Sequence, residues 1–384
     1  MRRVLYSLIV VALVCIGLAI GNEALAACSG VNVAPGTGTL ETALVGNPAG
    51  TTFCLSSSTS NYVVTATLSV QTGDILIGPS SGGAKLVANT GVSPFNNQSA
   101  DNVQLTRLRI SGTSSANTYG IWTGSGWTIT TVEVSFFETG VKLGFQESNN
   151  TLTALGAHSK IHDNTRYGIT APESDFITVS FTDIYSNNTG HGTYLFDEGG
   201  TKFAVTDHLS FHDNNVYSNF GNGVWIDQFA SNSTITGNLV HDQIAVADGT
   251  GEGIRDEISC GNTITNNTVY GNDQGQIDVT SSSGAVVSGN IVTASAGDDF
   301  GLQINDDGRG NCGSGTSASF TSNSVTTSGG ALASAEVGNS PSATWTTNTY
   351  HGGCTSNLWD PITGSATTFA GWQATGRDTA GSCS

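Results

Sequence analysis

The stretch Asn266-Asn-Thr-Val-Tyr-Gly-Asn272, followed by Gln276-Ile-Asp-Val279 and Asn290-Ile-Val292, decides the fold. Its two parts recur. The phrase asparagine, any residue, Val/Ile/Tyr is headed by Asn214, Asn238, Asn267, Asn290, Asn323 and Asn348, at steps of 24, 29, 23, 33 and 25 residues. A glycine opening a short alternating strand follows most copies, at Gly140, Gly168, Gly192, Gly223, Gly253 and Gly301, with Gln276 in that slot once. Strands this short close no core alone, and no helical segment separates them. Stacking does close one: each repeat becomes a coil of a solenoid, paired with its neighbours at about 4.8 Å. Alternation then builds inward columns, one of Val141, Ile169, Val224, Ile254, Ile277 and Leu302, the next of Leu143, Ala171, Leu195, Ile226, Val279 and Ile304. The asparagines fit a ladder of stacked amides that holds turns and does no chemistry.

Composition agrees. The 384 residues include 50 glycines, and charged residues are 11% where about 25% is usual, so helical bundles and coiled coils are excluded. The net charge of −18 argues against nucleic acid and anionic membranes as partners. Residues 1–26 read as a secretory signal: Arg2-Arg3, an apolar run from Val4 to Ile20, then Ala24-Leu25-Ala26. Cleavage there removes two of the 12 bases and one of the 30 acids, for about −19. Leu25-Ala26-Ala27-Cys28 also fits a lipoprotein box that would anchor Cys28, although Gly21-Asn22-Glu23 separates it from the apolar run. The expected protein is therefore secreted, soluble and monomeric.

Six cysteines remain after the signal, an even number that suggests disulfides and allows 15 pairings. Proximity in sequence suggests 28–54, 260–312 and 354–383. Both ends differ from the middle. Gly36–Gly46, with Leu40, Ala43, Leu44 and Val45, predicts a short helix capping the first coil, within an N-terminal region of 27–100. The repeats occupy 101–349, and 350–384, with Trp359, Trp372, Cys354 and Cys383, reads as a cross-linked cap. Such caps cover sheet edges that would otherwise associate.

Gly223-Val-Trp-Ile-Asp227, Gly253-Ile-Arg-Asp-Glu-Ile-Ser259 and Asn266–Asn272 resemble the right-handed parallel β-helix proteins of the pectin-lyase-like superfamily. Gly50-Thr-Thr-Phe-Cys-Leu55 and the closing Phe369-Ala-Gly-Trp-Gln373 are similar to the ends of secreted bacterial members. The resemblance spans roughly residues 28–384 and implies an all-β, single-stranded right-handed parallel β-helix. It leaves function open, because this fold hosts lyases, hydrolases, epimerases and proteins without known activity.

Aligning the strands on their glycines asks what faces outward. Two residues on stand Lys142, Thr170, Tyr194, Trp225, Arg255, Asp278 and Gln303; four on, Asp227 stacks beside Glu257. Carboxylates one coil apart repel, so one pKa should rise and supply an acid beside a base. Asp227, Glu257, Arg255 and Asp256 are thus the catalytic candidates. Asp256 occupies an inward slot and needs a partner there, Arg255 or a loop residue. Trp225 and Tyr194 suggest a sugar-stacking platform or packing under a loop. Asp278, Glu252 and His241 complete the substrate-binding candidates, with His241 equally suited to an aromatic column of Tyr185, Tyr217 and Tyr270. No cofactor or metal cluster is expected. Asp298-Asp299 and Asp306-Asp307 are where Ca²⁺ would be sought, without a fixed ligand spacing. The expected function is action on polysaccharide, by hydrolysis first and elimination second. The alternative is a non-catalytic extracellular protein that binds glycan or serves as a spacer.

Overall fold

A computed structural model describes residues 28–56, 58–96, 98–191, 198–247, 251–295, 300–309, 315–329, 331–335, 342–360 and 365–384. The signal sequence, Cys312 and Asp298-Asp299 lie outside them. The chain winds as a right-handed parallel β-solenoid of about 12 turns. Each turn crosses three faces in order. Among the described residues these are a 13-stranded sheet, a 14-stranded sheet and a 12-stranded sheet. One turn runs Thr128–Thr130, Glu133–Ser135 and Thr139–Lys142 before re-entering the first sheet at Thr151–Thr153. The pairing is parallel throughout, save Leu358–Asp360 against Ser365–Thr367 at the C-terminal edge.

The core is the stack of inward columns. Val141, Ile169, Val224, Ile254, Ile277 and Leu302 are wholly buried and in register on the 12-stranded sheet. One coil departs from the expected alignment. Its strand is Gly199–Ala204, not a strand opening at Gly192, so Thr201 and Phe203 fill the inward slots and Lys202 faces Trp225. Leu195 and Tyr194, expected on this strand, lie outside the described residues. The long connection before Gly199 shifts the glycine that matters from 192 to 200.

The asparagines form the expected ladder at the corner between the 13- and 14-stranded sheets. Each side-chain amide donates to the next Oδ1, from Asn214 through Asn238, Asn267, Asn290 and Asn323 to Asn348, at 2.9–3.1 Å. Asp378 ends the row by accepting from Asn348 at 2.9 Å. A second ladder, at the corner leading to the 12-stranded sheet, joins Asn164, Asn187, Asn219 and Gln243. It explains the repeated glycine. A Cβ on Gly168 or Gly200 would lie 2.7 or 2.9 Å from a ladder amide nitrogen and within 2.8 Å of the next coil's carbonyl.

The ends are closed as expected. The helix Thr39–Val45 buries Leu40 and Leu44 over the first coil. At the other end the helix Phe369–Ala374 sets Trp372 edge-on to Trp345. Disulfides Cys28–Cys54 and Cys354–Cys383 tie these ends. Cys260 is also disulfide-bonded. No helix among the described residues is long and apolar enough to cross a membrane.

Candidate functional site

Parallel register on the 12-stranded sheet brings distant residues side by side. Lys202, Trp225, Arg255 and Asp278 fall in one outward row, and Ala204, Asp227, Glu257 and Thr280 in the row beside it. Asp227, Glu257 and Arg255, with Trp225, Glu252 and Asp278, are therefore together on this face, while Asp256, on the same strand as Arg255, faces the core. His241 is not among them. It lies on the 14-stranded sheet, stacked between Tyr217 and Tyr270 at 5.3 and 5.0 Å, and its Nδ1 meets Asp242. It belongs to the aromatic column because its strand is the one before the corner.

The two stacked carboxylates differ in environment. Glu257 is saturated: Trp225 Nε1 and Arg255 Nε reach its Oε2 at 2.9 and 3.2 Å, and Arg255 Nη2 and Arg309 Nη2 its Oε1 at 3.0 and 2.5 Å. Burial opposes the charge, but the two guanidinium groups prevail and hold its pKa below the ordinary value. Asp227, 3% exposed, goes the other way. Burial raises its pKa most, the neighbouring Glu257 adds to the rise, and Lys202 at 2.9 Å offsets only part of it. The expectation that one carboxylate would rise is met at Asp227, with desolvation as the larger cause.

Arg255 is the hub. It pairs with Glu252 at 2.7 Å, Glu257 at 3.0 Å and Asp278 at 3.8 Å. Burial nonetheless pushes Glu252 up to about 7. Asp256 points inward and is wholly buried, with Asn262 Nδ2 on its Oδ1 at 2.9 Å and desolvation lifting it to about 7. Its partners are thus Asn262 and Ser259 at the following corner of the same coil rather than Arg255. Trp225 is only 2% exposed, its ring under Lys202 Nζ at 3.7 Å and its N–H on Glu257. Its face is covered by packing, so Trp225 offers no open stacking surface. Among the described residues no group of three His, Cys, Asp or Glu is arranged to hold a metal ion.

The open surface lies one step toward the N-terminus. A groove of about 480 Å³ runs over the strands Tyr119–Trp122, Thr139–Lys142, Tyr167–Thr170 and Gly199–Ala204. Lys142, Arg166 and Lys202 line it, with Tyr119, Tyr167 and Glu138. Arg166 is 3.6 Å from Glu138. Lys142 lies over Trp122 at 3.8 Å, and burial lowers its pKa. Among the described residues no carboxylate pairs with it. Sequence reasoning places Lys142 on this face without assigning it a role, and passes over Arg166 and Lys202. The signal for Lys202 is one glycine slot away.

The family description "Right handed beta helix region" matches residues 119–244 and 208–373, most of the chain. The chain belongs to the right-handed β-helix family. Comparison with curated protein sequences finds no match. Among solved structures, the mannuronan C-5 epimerase AlgE4 A-module of Azotobacter vinelandii is similar, at 16% identity over 84% of this chain and 89% of that one, with a TM-score of 0.55. The periplasmic alginate epimerase AlgG matches at 12% identity over 81% and 82%, TM-score 0.51. The bacteriophage Phi29 gene product 12 N-terminal fragment matches at 12% over 90% and 69%, TM-score 0.54. At these identities the likeness shows the fold alone.

Proposed function

We propose that this β-helix protein acts on an acidic, uronate-bearing polysaccharide laid along the 12-stranded sheet. One observation carries the reading: Lys142, Arg166 and Lys202 meet in one groove of a chain with a net charge of −18. Such a chain repels a polyanion everywhere except where cations are gathered. Disulfides at both ends fit a compartment outside the cytoplasm, where such polymers occur.

Of the two chemistries, hydrolysis needs two carboxylates free to exchange protons. Glu257 is occupied by four donors and Asp227 by Lys202, so this arrangement favours elimination. Arg166 would take the sugar carboxylate, and Lys202, held by Asp227 at the edge of the groove, would add positive potential for the charge that grows when the adjacent carbon loses its proton. Lys142, its pKa lowered by burial, is the base that takes this proton. The carbon–oxygen bond at the next carbon then breaks, and the departing glycosidic oxygen is protonated. Tyr119, kept in its protonated form by burial, is the acid beside it. Asp227 and the Arg255 network act as positioning groups.

The test is incubation with polyuronates and neutral polysaccharides, with and without Ca²⁺, following reducing ends and the absorbance of unsaturated sugars together. Unsaturated ends from polyuronate alone support the reading. Reducing ends without unsaturation return the chemistry to hydrolysis at Asp227 and Glu257. Polyuronate binding without product supports the non-catalytic alternative. Action on neutral polymer only overturns the assignment.

A further inference from the structure

A second cationic hollow lies on another face, at the corner between the 13- and 14-stranded sheets. Most turns of the chain pass this corner in one or two residues, as at Arg107 between Thr106 and Leu108. Three turns do not: residues 56–60 join Leu55 to Asn61, Gly78–Gly83 joins Ile77 to Ala84, and residues 154–158 join Thr153 to Ser159, the last two flanking the hollow. The strands before these two loops are third and sixth in the order of the 13-stranded sheet, with Gln104–Thr106 and Thr128–Thr130 between them. Two long loops therefore wall a trough two coils wide, roughly 14 Å from wall to wall. The trough has a volume of about 530 Å³.

Its floor is charged. Arg107, Arg109 and Lys160 line it, with Glu133 as the opposing charge and His158 tied to Asp183 at 2.8 Å. Register explains the cluster: Arg109, Glu133 and Lys160 are consecutive rungs, and Lys85 is the rung before. Each arginine is held by one backbone carbonyl. Arg107 Nε donates to Gly78 at 2.9 Å and Arg109 Nη2 to Ser58 at 2.7 Å. Arg109 Nε is buried and has no hydrogen-bond partner among the described residues. The lining side chains of Arg107, Arg109 and Lys160 are donors that a carboxylate or sulfate oxygen accepts from. Gly82 and Gly83 hold positive φ of 77° and 65°, which keeps that wall free of side chains. Leu155, 61% exposed, stands on the opposite wall and offers an apolar contact.

We infer that this trough is a second binding site, separate from the groove on the 12-stranded sheet, that takes the carboxylate of an acidic saccharide. The identity of the ligand rests on the proposed function; the site itself rests on the trough. Two sites on one rigid solenoid let a long chain engage both, so polymer affinity exceeds that of a short oligomer.

The experiment is calorimetric titration of the full chain with a short oligouronate and, separately, with inorganic sulfate. Three proteins are compared: wild type, Arg109→Gln/Lys160→Gln, and Lys142→Gln/Arg166→Gln, each first checked for an unchanged melting transition. Wild type should bind two equivalents of oligouronate. Each double variant should bind one, and the trough variant should lose at least tenfold in affinity for long polymer. Should either double variant melt early, Lys160→Glu alone, at an exposed position, must still weaken the trough site. One equivalent in wild type, lost in the groove variant and kept in the trough variant, overturns the second site and leaves the proposed function standing. One equivalent lost only in the trough variant supports the second site and removes the groove reading. Sulfate bound at the trough with no oligouronate bound anywhere overturns the saccharide assignment and the proposed function together.

Discussion

Lys202 Nζ lies 2.9 Å from Asp227 Oδ2 across one turn of the solenoid, with side chains 6% and 4% exposed. The contact is diagonal, since Lys202 pairs in register with Trp225 and Asp227 with Ala204. The ammonium is thereby placed over the Trp225 ring and beside the acid at once. It also stands at the boundary between the open groove and the buried Arg255 network.

Breaking this pair from one side strands a buried charge. Lys202→Met and Asp227→Asn should each destabilise by about 3–5 kcal/mol, and the double variant by less than their sum. Chemical denaturation of all four proteins measures the coupling, and strict additivity would show the pair to be inert.

Lys142→Met should lower turnover of polyuronate by a hundredfold or more while oligouronate affinity changes less, as general-base loss typically costs about 10²–10⁴. Because burial lowers the lysine pKa, activity should rise with pH and level off below the ordinary lysine value. A pH–rate profile without that rising limb would remove Lys142 from the base role.

Asp256 makes the fold sensitive to pH in a definite direction. Its folded pKa, about 7, is above that of an unfolded aspartate, so its contribution is present in full below about pH 4. That contribution is lost as pH rises through 7. Asp256→Asn cannot ionise, and its melting temperature should fall less than that of wild type between pH 4 and 8. Parallel curves would mean that Asp256 does not titrate there.

Asn267→Ala removes a middle rung of the amide ladder. Two donors of Asn238, the Ile235 carbonyl and Asn290 Oδ1 each lose a partner. At about 1–3 kcal/mol for each buried group left unsatisfied, a loss of several kcal/mol is expected. Hydrogen exchange should rise first in the two turns flanking residue 267.

Glu257→Gln keeps the shape of the clamp but removes the charge that holds Arg255 and Arg309. Trp225 emission should shift as its N–H loses a carboxylate acceptor. If elimination is the chemistry, turnover should fall by tenfold or less, whereas a hydrolytic role for Glu257 would abolish it.

Much of this is legible along the chain because the fold is repetitive. Asn267 and Asn290 can be paired by eye, and the steps between copies read out the register that sets Asp227 beside Glu257. The cysteine pairings 28–54 and 354–383 follow from closeness in sequence, which one turn of a solenoid turns into closeness in space. The glycine repeat is visible without its cause, the second amide ladder. Where a turn carries an insertion, spacing misleads. It points to Gly192 in place of Gly200, and so sets Tyr194 where Lys202 stands.

Periodicity determines which face of each strand looks inward, since that depends only on the alternation of neighbours along one coil. It therefore settles the solenoid, its caps and its amide ladder. It does not determine how deep an outward residue sits, which depends on loops from other turns and on what the next coil lays over it. Hence Trp225 is legible as outward, yet only tertiary structure covers it with Lys202 and Glu257. Charge balance is decided at the same level. Asp227 and Glu257 look alike in sequence, and part company because one meets a single ammonium and the other two guanidinium groups from 2 and 52 residues away.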